Sequence, residues 1–281
     1  MQIGEAIRRA AQSIQHKLGL ALSEASFEAN LLCQQVLNVN RAWLISHEND
    51  VLEANQQAAF EALVQRRLNG EPIAYILGSR EFYGLLLKTT PATLIPRSDT
   101  ETLVEAAFAK IPQNASLNIL DLGTGTGAVA LAIASQRPQT KVIAVDASLE
   151  ALKVATENAQ SLSLSNVRLI ESNWFSGLAS EKFDVIVSNP PYIAQDDEHL
   201  KQGDLRFEPL SALASGKDGL DDIRKIIQYA PEYLNPNGWL MLEHGYDQAN
   251  AVAALLNARG FSKVAHAKDI AGTLRVTFGA I

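Results

Sequence analysis

The chain has 281 residues, of which 47% are hydrophobic and 20% are charged. At about 100 to 200 residues per domain, this length indicates one large domain or two smaller ones, and we expect two. The composition is that of a folded globular protein and excludes a disordered or collagen-like chain. The 24 Lys and Arg residues against 31 Asp and Glu residues give a formal charge of −7, which disfavours sequence-blind binding of nucleic acid, because phosphate binding relies on excess positive charge.

Cysteine usage and hydropathy exclude further classes of protein. The single cysteine, Cys33, excludes a disulfide framework or a thiolate metal cluster and fits a reducing compartment. Apolar stretches are interrupted by polar residues before they reach 18 residues, so we expect a protein that is neither secreted nor membrane-spanning.

Residues 1–74 are predicted to form a small helical bundle. Apolar residues recur every three or four positions over residues 3–18, 23–37 and 52–68, with a short helix after Asn40. This region has no nucleophile, metal-ligand set or glycine-rich loop, so we expect it to recognise a partner. The residues predicted to face the bundle interior in the second and fourth helices are Phe27, Leu31, Leu32, Ala59, Phe60, Leu63 and Val64.

Residues 75–97 are predicted to be a β-hairpin linker. Short strands are expected at residues 81–87 and 93–95, around Gly84 and Pro91. Ser98 and Glu101 have the spacing of a capping box, which places the start of a helix near Asp99 and the start of a third region at residue 98.

Residues 98–281 are predicted to be an α/β domain, because strand-like and helical segments alternate. This alternation implies a parallel sheet covered by helices on both faces. Strands are expected at 119–122, 141–145, 167–170, 183–188, 238–243 and near Val264 and Val276, with helices after Gly127 and at about 149–159, 221–230 and 248–258.

A glycine-rich turn follows the first strand of this domain. Glycines let the backbone turn sharply and approach a ligand closely. No Lys-Ser/Thr follows, which excludes a P-loop. Asp146, at the end of the next strand, can accept hydrogen bonds from both hydroxyls of a ribose, and the alternative is a helix N-terminal acid beside Ser148. The candidate cofactor-binding residues of the turn are Gly123, Thr124, Gly125, Thr126 and Gly127.

The ligand of this turn is either a dinucleotide or S-adenosylmethionine. Asp121 stands immediately before the glycines. A carboxylate there would repel a pyrophosphate but suits the ammonium group of a methionine moiety, through nearby solvent or backbone. The sequence therefore favours S-adenosylmethionine.

The tetrapeptide Asn189, Pro190, Pro191 and Tyr192 lies at the carboxyl end of a predicted strand, where ligands bind in open α/β sheets. The prolines hold Asn189 extended at the edge of the sheet. The side-chain carbonyl of Asn189 and the backbone carbonyl of Pro190 can accept the two N–H hydrogens of a substrate NH₂ group, and the Tyr192 ring can pack against a flat target. Aligning that nitrogen suits methyl transfer, which needs no strong general base. The alternative is an ordinary turn.

Together these residues resemble the class I S-adenosylmethionine-dependent methyltransferases of amino nitrogens, and more narrowly the HemK-type release-factor glutamine N5-methyltransferases. Residues 78–83, 95–101, 207–213, 218–220 and 243–248 match further segments of that family. The resemblance covers nearly the whole chain. It implies a Rossmann-like seven-stranded methyltransferase domain preceded by a hairpin linker and a helical bundle that binds the release factor. It also implies methylation of the glutamine side-chain amide in a Gly-Gly-Gln tripeptide.

The resemblance also implies individual roles. The glycine turn would line S-adenosylmethionine, Asp146 would hold its ribose, Trp174 would lie near the adenine and Asn189 would touch both cofactor and substrate. Asn173 departs from the acidic residue expected beside Trp174, and residues 271–275 also depart from the family pattern. The expected catalytic residues are Asn189, Pro190 and Tyr192. The expected substrate-binding residues are Asn189, Pro190, Pro191, Tyr192 and Arg97, and a structural salt bridge is the alternative for Arg97. No metal is expected.

Three functions are compatible with these residues. A release-factor methyltransferase leads, and we expect it to be a cytoplasmic monomer without a direct nucleic-acid or membrane partner. A nucleic-acid amino-methyltransferase of the adenine N6 type shares the tetrapeptide, but it should carry a basic recognition region. Residues 1–70 instead hold six Lys and Arg residues against seven Asp and Glu residues. The third candidate is a non-catalytic binding module.

Overall fold

The structure is a computed structural model that describes all 281 residues. The chain divides into two compact units between Gly78 and Ser79. The sequence predicts boundaries after residues 74 and 97 instead. The division differs because a short helix at residues 73–77 packs with the helices before it, whereas the hairpin belongs to the second unit. None of the helices combines the length and the apolar character that crossing a membrane requires.

The first unit is a bundle of five helices. Helices α1 and α2 pack along each other, and α4 contacts both. Ile14, Leu32 and Phe60 are buried in the core of the bundle. A buried ion pair joins α2 to α4, with Arg67 Nε 2.7 Å from Glu28 Oε2. The helices are α1 (Ile3–Leu18), α2 (Leu22–Leu37), α3 (Arg41–Ser46), α4 (Ala54–Leu68) and α5 (Ile73–Leu77).

Two residues predicted to face the bundle interior do not. Phe27 is 55% exposed, and Ala59 is also exposed. The buried face of α2 consists of Ala25, Glu28, Ala29, Leu32 and Cys33, which have helical spacing. Phe27 lies on the other side of the helix. The interior face of α2 is formed largely by small alanines and an ion-paired glutamate. A prediction based on the spacing of large apolar residues does not identify such a face.

The second unit contains a two-stranded hairpin and a seven-stranded sheet. The sheet has the order β5-β4-β3-β6-β7-β9-β8. Its first five strands are parallel, and β9 is antiparallel to both β7 and β8. The strands are β1 (Ser79–Phe82), β2 (Leu85–Lys88), β3 (Asn118–Leu122), β4 (Lys141–Asp146), β5 (Val167–Glu171), β6 (Phe183–Ser188), β7 (Leu234–Glu243), β8 (Ser262–Lys268) and β9 (Leu274–Ala280).

The α/β class and the seven strands are confirmed, but the sheet is mixed and not entirely parallel. Only residues 269–273 connect β8 to β9. This is too short for a crossover, so the two strands must run in opposite directions. Helices cover both faces of the sheet, since α6 and α7 contribute to one apolar cluster and α9 and α10 to another. The helices are α6 (Glu101–Phe108), α7 (Ala128–Gln136), α8 (Leu149–Ser161), α9 (Asp221–Tyr233) and α10 (Ala249–Arg259).

Two local predictions near the hairpin are wrong. Residues 93–95 form no strand, because the Thr93 backbone N–H donates to Thr90 O and closes a turn after the hairpin. The capping box is also absent, and a 3₁₀ turn at Ser98–Thr100 precedes α6. Glu101 Oε1 instead accepts from the backbone N–H of Tyr83 at 3.2 Å, so this carboxylate ties the hairpin turn to the start of α6.

Candidate active site

A cavity of about 520 Å³ lies at the carboxyl ends of β3, β4 and β6. The chain runs outward from β3 to β4 and β5 and then returns to β6 on the other side of β3. Such a reversal of strand order leaves a crevice where open α/β sheets bind ligands. The sequence predicts contributions from the loops after these strands. Residues 92–94 also contribute to the lining, as do Pro209, Ser211, Ala212 and Ala214, and the sequence predicts no role for them.

The cavity brings together only part of the predicted site. The predicted residues that line it are Gly123, Gly125, Asp146, Trp174, Asn189 and Pro191. The predicted residues that lie outside the lining are Thr124, Thr126, Gly127, Pro190, Tyr192 and Arg97. Among these, Gly127 is the N-cap of α7, and a Cβ atom there would lie 2.9 Å from Leu131 Cδ1. Gly127 therefore allows close packing of the helix beneath the loop.

The glycine loop has a left-handed backbone at each of its three glycines, with φ values of 72° at Gly123, 55° at Gly125 and 85° at Gly127. Side chains rarely adopt this conformation, which explains the glycines. The backbone N–H of Gly125 donates to Asp146 Oδ2 at 2.9 Å, and that of Ser148 donates to Oδ1 at 2.9 Å. Asp146 therefore fixes the loop while its carboxylate lines the cavity.

Asp121 does not line the cavity. Its Oδ2 accepts from Thr124 Oγ1 at 2.7 Å and from the Ala130 backbone N–H at 3.3 Å. Burial raises the pKa of the Asp121 carboxyl to about 7, although these two hydrogen bonds oppose the shift. Asp121 thus holds the loop against the start of α7, and its effect on a ligand passes through the loop backbone.

Trp174 forms one wall of the cavity and approaches the glycine loop. A Cβ atom on Gly123 would lie 3.3 Å from its ring. The indole Nε1 donates to Asp222 Oδ1 at 3.1 Å, and Asp222 Oδ2 accepts from Ser215 Oγ at 2.7 Å. Asn173 Oδ1 is already engaged by Lys225 Nζ at 3.2 Å. The sequence does not single out Asp222, because it resembles an ordinary acid in the first turn of a helix.

Asn189 lies at the edge of the cavity directly after β6. Its side-chain Nδ2 donates to Thr100 Oγ1 at 3.1 Å, which leaves Oδ1 available as an acceptor. The preceding residue, Ser188, is buried and donates to Leu122 O at 2.7 Å. This hydrogen bond joins the ends of β6 and β3, so the residue immediately before the tetrapeptide is held in place.

Tyr192 is held at its backbone and at its hydroxyl. Its carbonyl accepts from Gln248 Nε2 at 3.0 Å, and its hydroxyl lies 3.5 Å from Glu243 Oε1. Glu243 is buried, and burial raises the pKa of its carboxyl to about 7. The tyrosine hydroxyl therefore lies beside a buried carboxyl at the end of β7. Glu243 is not among the predicted site residues.

Arg97 forms the structural salt bridge considered as its alternative. Its Nη2 donates to Glu208 Oε1, and the Glu208 side chain is fully buried. Burial raises the pKa of Glu208 to about 7, with Arg97 acting against the shift. The pair fixes the segment that contributes Pro209 to the cavity. His244 is also structural, because its Nε2 lies 2.7 Å from Thr277 Oγ1 and burial lowers its pKa.

The lining fits S-adenosylmethionine. The glycine loop permits close approach of a ligand to the backbone, the Asp146 carboxylate can accept from ribose hydroxyls, and the Trp174 ring offers an apolar surface. The volume also lies in the range of small-molecule sites, about 300 to 1,000 Å³.

Two family models and several curated relatives match the sequence of this chain. The methyltransferase small domain family matches residues 99–205, and the PrmC N-terminal domain family matches residues 5–78. The release factor glutamine methyltransferase of Xylella fastidiosa (strain Temecula1) is 49% identical over 252 residues, covering 90% of this chain and 92% of its own. The release factor glutamine methyltransferase of Escherichia coli (strain K12) is 46% identical over 252 residues, which cover 90% of this chain and 91% of its own.

A solved structure shows the same fold. The crystal structure of a methyltransferase from Pyrococcus furiosus has a TM-score of 0.54 at 23% identity and covers 81% of this chain and 98% of its own. From the sequence identity and coverage of its relatives, the chain belongs to the family of release factor glutamine methyltransferases.

Proposed function

We propose that this chain transfers the methyl group of S-adenosylmethionine to the side-chain amide nitrogen of the glutamine in the Gly-Gly-Gln tripeptide of peptide chain release factors. The observation that carries the proposal is Asn189, whose Oδ1 is available at the edge of a cavity shared with Asp146 and the glycine loop. Relatives that bear the name of this activity align with nine-tenths of the chain.

The residues that would hold the cofactor are Gly123, Gly125, Asp146 and Trp174. The cofactor supplies an electrophilic methyl group when it is bound. The Asp146 carboxylate binds the ribose hydroxyls, and its hydrogen bond from Gly125 keeps the loop in place during binding. Trp174 stays fixed through Asp222 and excludes water from its side of the cavity.

The chain must also orient a weak nucleophile, because the lone pair of an amide nitrogen is delocalised over its carbonyl. Asn189 Oδ1 and the Pro190 carbonyl accept the two N–H hydrogens of the substrate amide, which directs the nitrogen into the cavity. The same acceptors stabilise the positive charge that the nitrogen gains. The Tyr192 ring packs against the amide plane. The proton leaves to solvent afterwards, so a strong general base is unnecessary.

The proposal also covers the macromolecular partner, the oligomeric state and the cellular compartment of the enzyme. The release factor is the macromolecular partner, and the helical region at residues 1–74 recognises it. Nucleic acid is not a substrate, which the formal charge of −7 and the acidic balance of residues 1–70 support. The enzyme acts as a monomer in the cytoplasm, where release factors work.

The direct test is methyl transfer from labelled S-adenosylmethionine to a purified bacterial release factor. A Gly-Gly-Ala variant of that factor and equal masses of DNA and RNA serve as parallel substrates. We expect label on the intact factor alone. Label on nucleic acid would instead support the adenine-type alternative, and no label on any substrate would favour a binding module.

Asn189→Ala tests the role of the side-chain acceptor. We expect the transfer rate to fall on the order of 10²-fold, as when one group that stabilises developing charge is removed from other enzymes, while cofactor affinity by calorimetry changes by less than about threefold. Asn166→Ala is the matched control, because Asn166 Nδ2 donates to backbone carbonyls such as Ala134 O away from the cavity. Equal transfer rates in Asn189→Ala and the wild type would refute the mechanism.

A further inference from the structure

The side-chain amide of Asn158 joins three segments of the second unit. Asn158 lies in the last turn of α8 and is 1% exposed. Its Nδ2 donates to Thr126 O at 2.9 Å and to Lys88 O at 3.1 Å, and its Oδ1 accepts from the backbone N–H of Lys88 at 2.7 Å. Lys88 lies 70 positions away in the chain and Thr126 lies 32 positions away. One buried side chain therefore connects α8 to the end of the hairpin and to the glycine loop.

The two segments that Asn158 connects to α8 both lead into the cavity. Gly125, the residue before Thr126, contributes to the lining. The hairpin ends at Lys88, and the chain that leaves it contributes residues 92–94 to the same lining. Asn158 itself does not line the cavity, so it acts on these two parts of the lining from behind.

The glycine loop needs contacts from outside, because glycines restrain its backbone very little. Thr126 lies between Gly125 and Gly127, and both glycines have positive φ. A peptide carbonyl beside glycines can rotate at little steric cost. The hydrogen bond from Asn158 fixes the direction of the Thr126 carbonyl. A Cβ atom at Gly127 would also lie 3.4 Å from Ala155 Cβ, so this part of the loop packs directly on α8.

The end of the hairpin depends on the same amide, which binds both backbone groups of Lys88. The Lys88 side chain adds an ion pair with Glu157 at 2.6 Å, but this pair is exposed and contributes little. A side-chain amide supplies two donor hydrogens and an acceptor in one group, which is what the three backbone atoms require. A carboxylate at position 158 would instead face the carbonyl oxygens of Lys88 and Thr126.

We infer that Asn158 is a positioning residue for S-adenosylmethionine, because it holds the glycine loop and the end of the hairpin against α8 in the arrangement that binds the cofactor. The inference rests on the proposed function, since it takes the glycine loop to bind the cofactor. A loop that is already ordered loses less conformational freedom when a ligand binds, and the ligand binds more tightly. The hydrogen bonds of Asn158 do not reach the tetrapeptide, so the orientation of the substrate amide remains the task of Asn189.

The test uses Asn158→Ala, which removes all three hydrogen bonds, and Asn158→Asp, which removes both donors and keeps the acceptor. We expect each variant to bind S-adenosylmethionine about tenfold more weakly or worse in titration calorimetry. In methyl transfer to the release factor, the KM for S-adenosylmethionine should rise by a similar factor, while kcat at saturating cofactor stays within about twofold of the wild type. A partly unfolded variant would show the opposite pattern, a lower kcat with an unchanged KM.

Asn166→Ala is the matched control for loss of an asparagine that binds the backbone. Asn166 Nδ2 also donates to carbonyls of other segments, to Ala134 O at 3.1 Å and to Thr140 O at 3.3 Å, but these groups lie outside the cavity. Urea unfolding should show lost stability in both alanine variants, whereas cofactor affinity should fall only in Asn158→Ala. Wild-type cofactor affinity in folded Asn158→Ala and Asn158→Asp would overturn the inference.

A second measurement needs neither substrate nor cofactor. The backbone N–H groups of Gly125 and Gly127 each donate a hydrogen bond, so their rates of hydrogen exchange report the order of the glycine loop. We expect faster exchange at both glycines in Asn158→Ala and wild-type rates in Asn166→Ala. Wild-type rates in Asn158→Ala would also overturn the inference. A wild-type enzyme that binds S-adenosylmethionine but does not label the release factor would contradict the proposed function instead, and calorimetry and hydrogen exchange would still decide the role of Asn158.

Discussion

At the scale of single residues, Asp146 combines two tasks in one carboxylate. Its two oxygens accept from the backbone N–H groups of Gly125 and Ser148, each at 2.9 Å. An ionised carboxylate offers about four lone-pair sites, so about two remain for a ligand. The group that binds the ribose in our proposal is therefore the group that orders the glycine loop.

Asp146→Ala should weaken S-adenosylmethionine binding by about 10-fold to 100-fold, because hydrogen bonds to a charged group are worth about 1.5 to 3 kcal/mol. Titration calorimetry measures the change. Asp184→Ala is the matched control, since Asp184 also accepts two hydrogen bonds, from Asn118 N and Asn235 Nδ2, but lies outside the cavity. Equal affinities in the two variants would exclude Asp146 as a ligand of the ribose.

At the scale of elements, the segment after β6 is held by contacts from two other parts of the chain. The backbone of Ile193 exchanges hydrogen bonds with Leu213 and Ser215, each at 2.9 Å. Gly219 packs against the same segment, with φ of 75° and with the position of a Cβ atom only 2.1 Å from Tyr192 O. The tetrapeptide is thus positioned by residues well beyond its own strand.

Gly219→Ala should displace Tyr192 and lower the transfer rate by about tenfold or more. The variant also places a side chain in a left-handed conformation, which costs on the order of 1 kcal/mol of stability. Gly260→Ala separates the two effects, because Gly260 has φ of 95° and open space around it. Activity assays and urea unfolding should show lost stability in both variants but lost activity only in Gly219→Ala. Wild-type activity in Gly219→Ala would mean that this contact does not position the tetrapeptide.

The sequence predicts the parts of the site that follow directly from strand ends. The glycine loop, Asp146 and Asn189 were found because each comes after an apolar strand, and parallel strands bring their carboxyl ends to one edge of the sheet. Glu243 also ends a predicted strand, but it carries no predicted role because the methyl transfer needs no strong general base. Thr100 is not predicted, since its contact with Asn189 joins residues 89 positions apart in the chain. The predicted capping box does not form for a similar reason. The Glu101 carboxylate accepts from the backbone N–H of Tyr83, which is distant in the chain, and not from that of Ser98.

At the scale of the whole molecule, buried acids govern the response to pH. Burial raises the pKa of Asp121, Glu208 and Glu243 to about 7. The folded protein therefore keeps these protons at pH values where the unfolded chain has lost them. Their stabilising contribution is complete below about pH 4 and disappears as the pH rises to about 7. His244 acts in the opposite direction, because burial lowers its pKa.

The free energy of unfolding should therefore fall between pH 5 and pH 7, by on the order of 5 kcal/mol, since each of the three acids contributes at most about 1.4 kcal/mol per pH unit and His244 offsets part of the loss. Urea denaturation across this range measures the slope. Glu243→Gln should make it shallower. Glu157→Gln should leave the slope unchanged. Lys88 lowers the pKa of the exposed Glu157, so this carboxylate changes the free energy of unfolding only at a more acidic pH. A free energy that rises with pH over this interval would contradict the assignment.

The position of β9 between β7 and β8 has a consequence for synthesis on the ribosome. After β7 ends at Glu243, 37 further residues must be made before β9 ends at Ala280. At about 5 to 20 residues per second this takes roughly 2 to 7 s. Until β9 is in place, β7 is an open edge with unpaired backbone groups, a template for unwanted pairing. Strand β8 is made before β9 but pairs only with β9, so it does not cover the edge of β7. A chain that ends before β9 would leave its sheet open at β7.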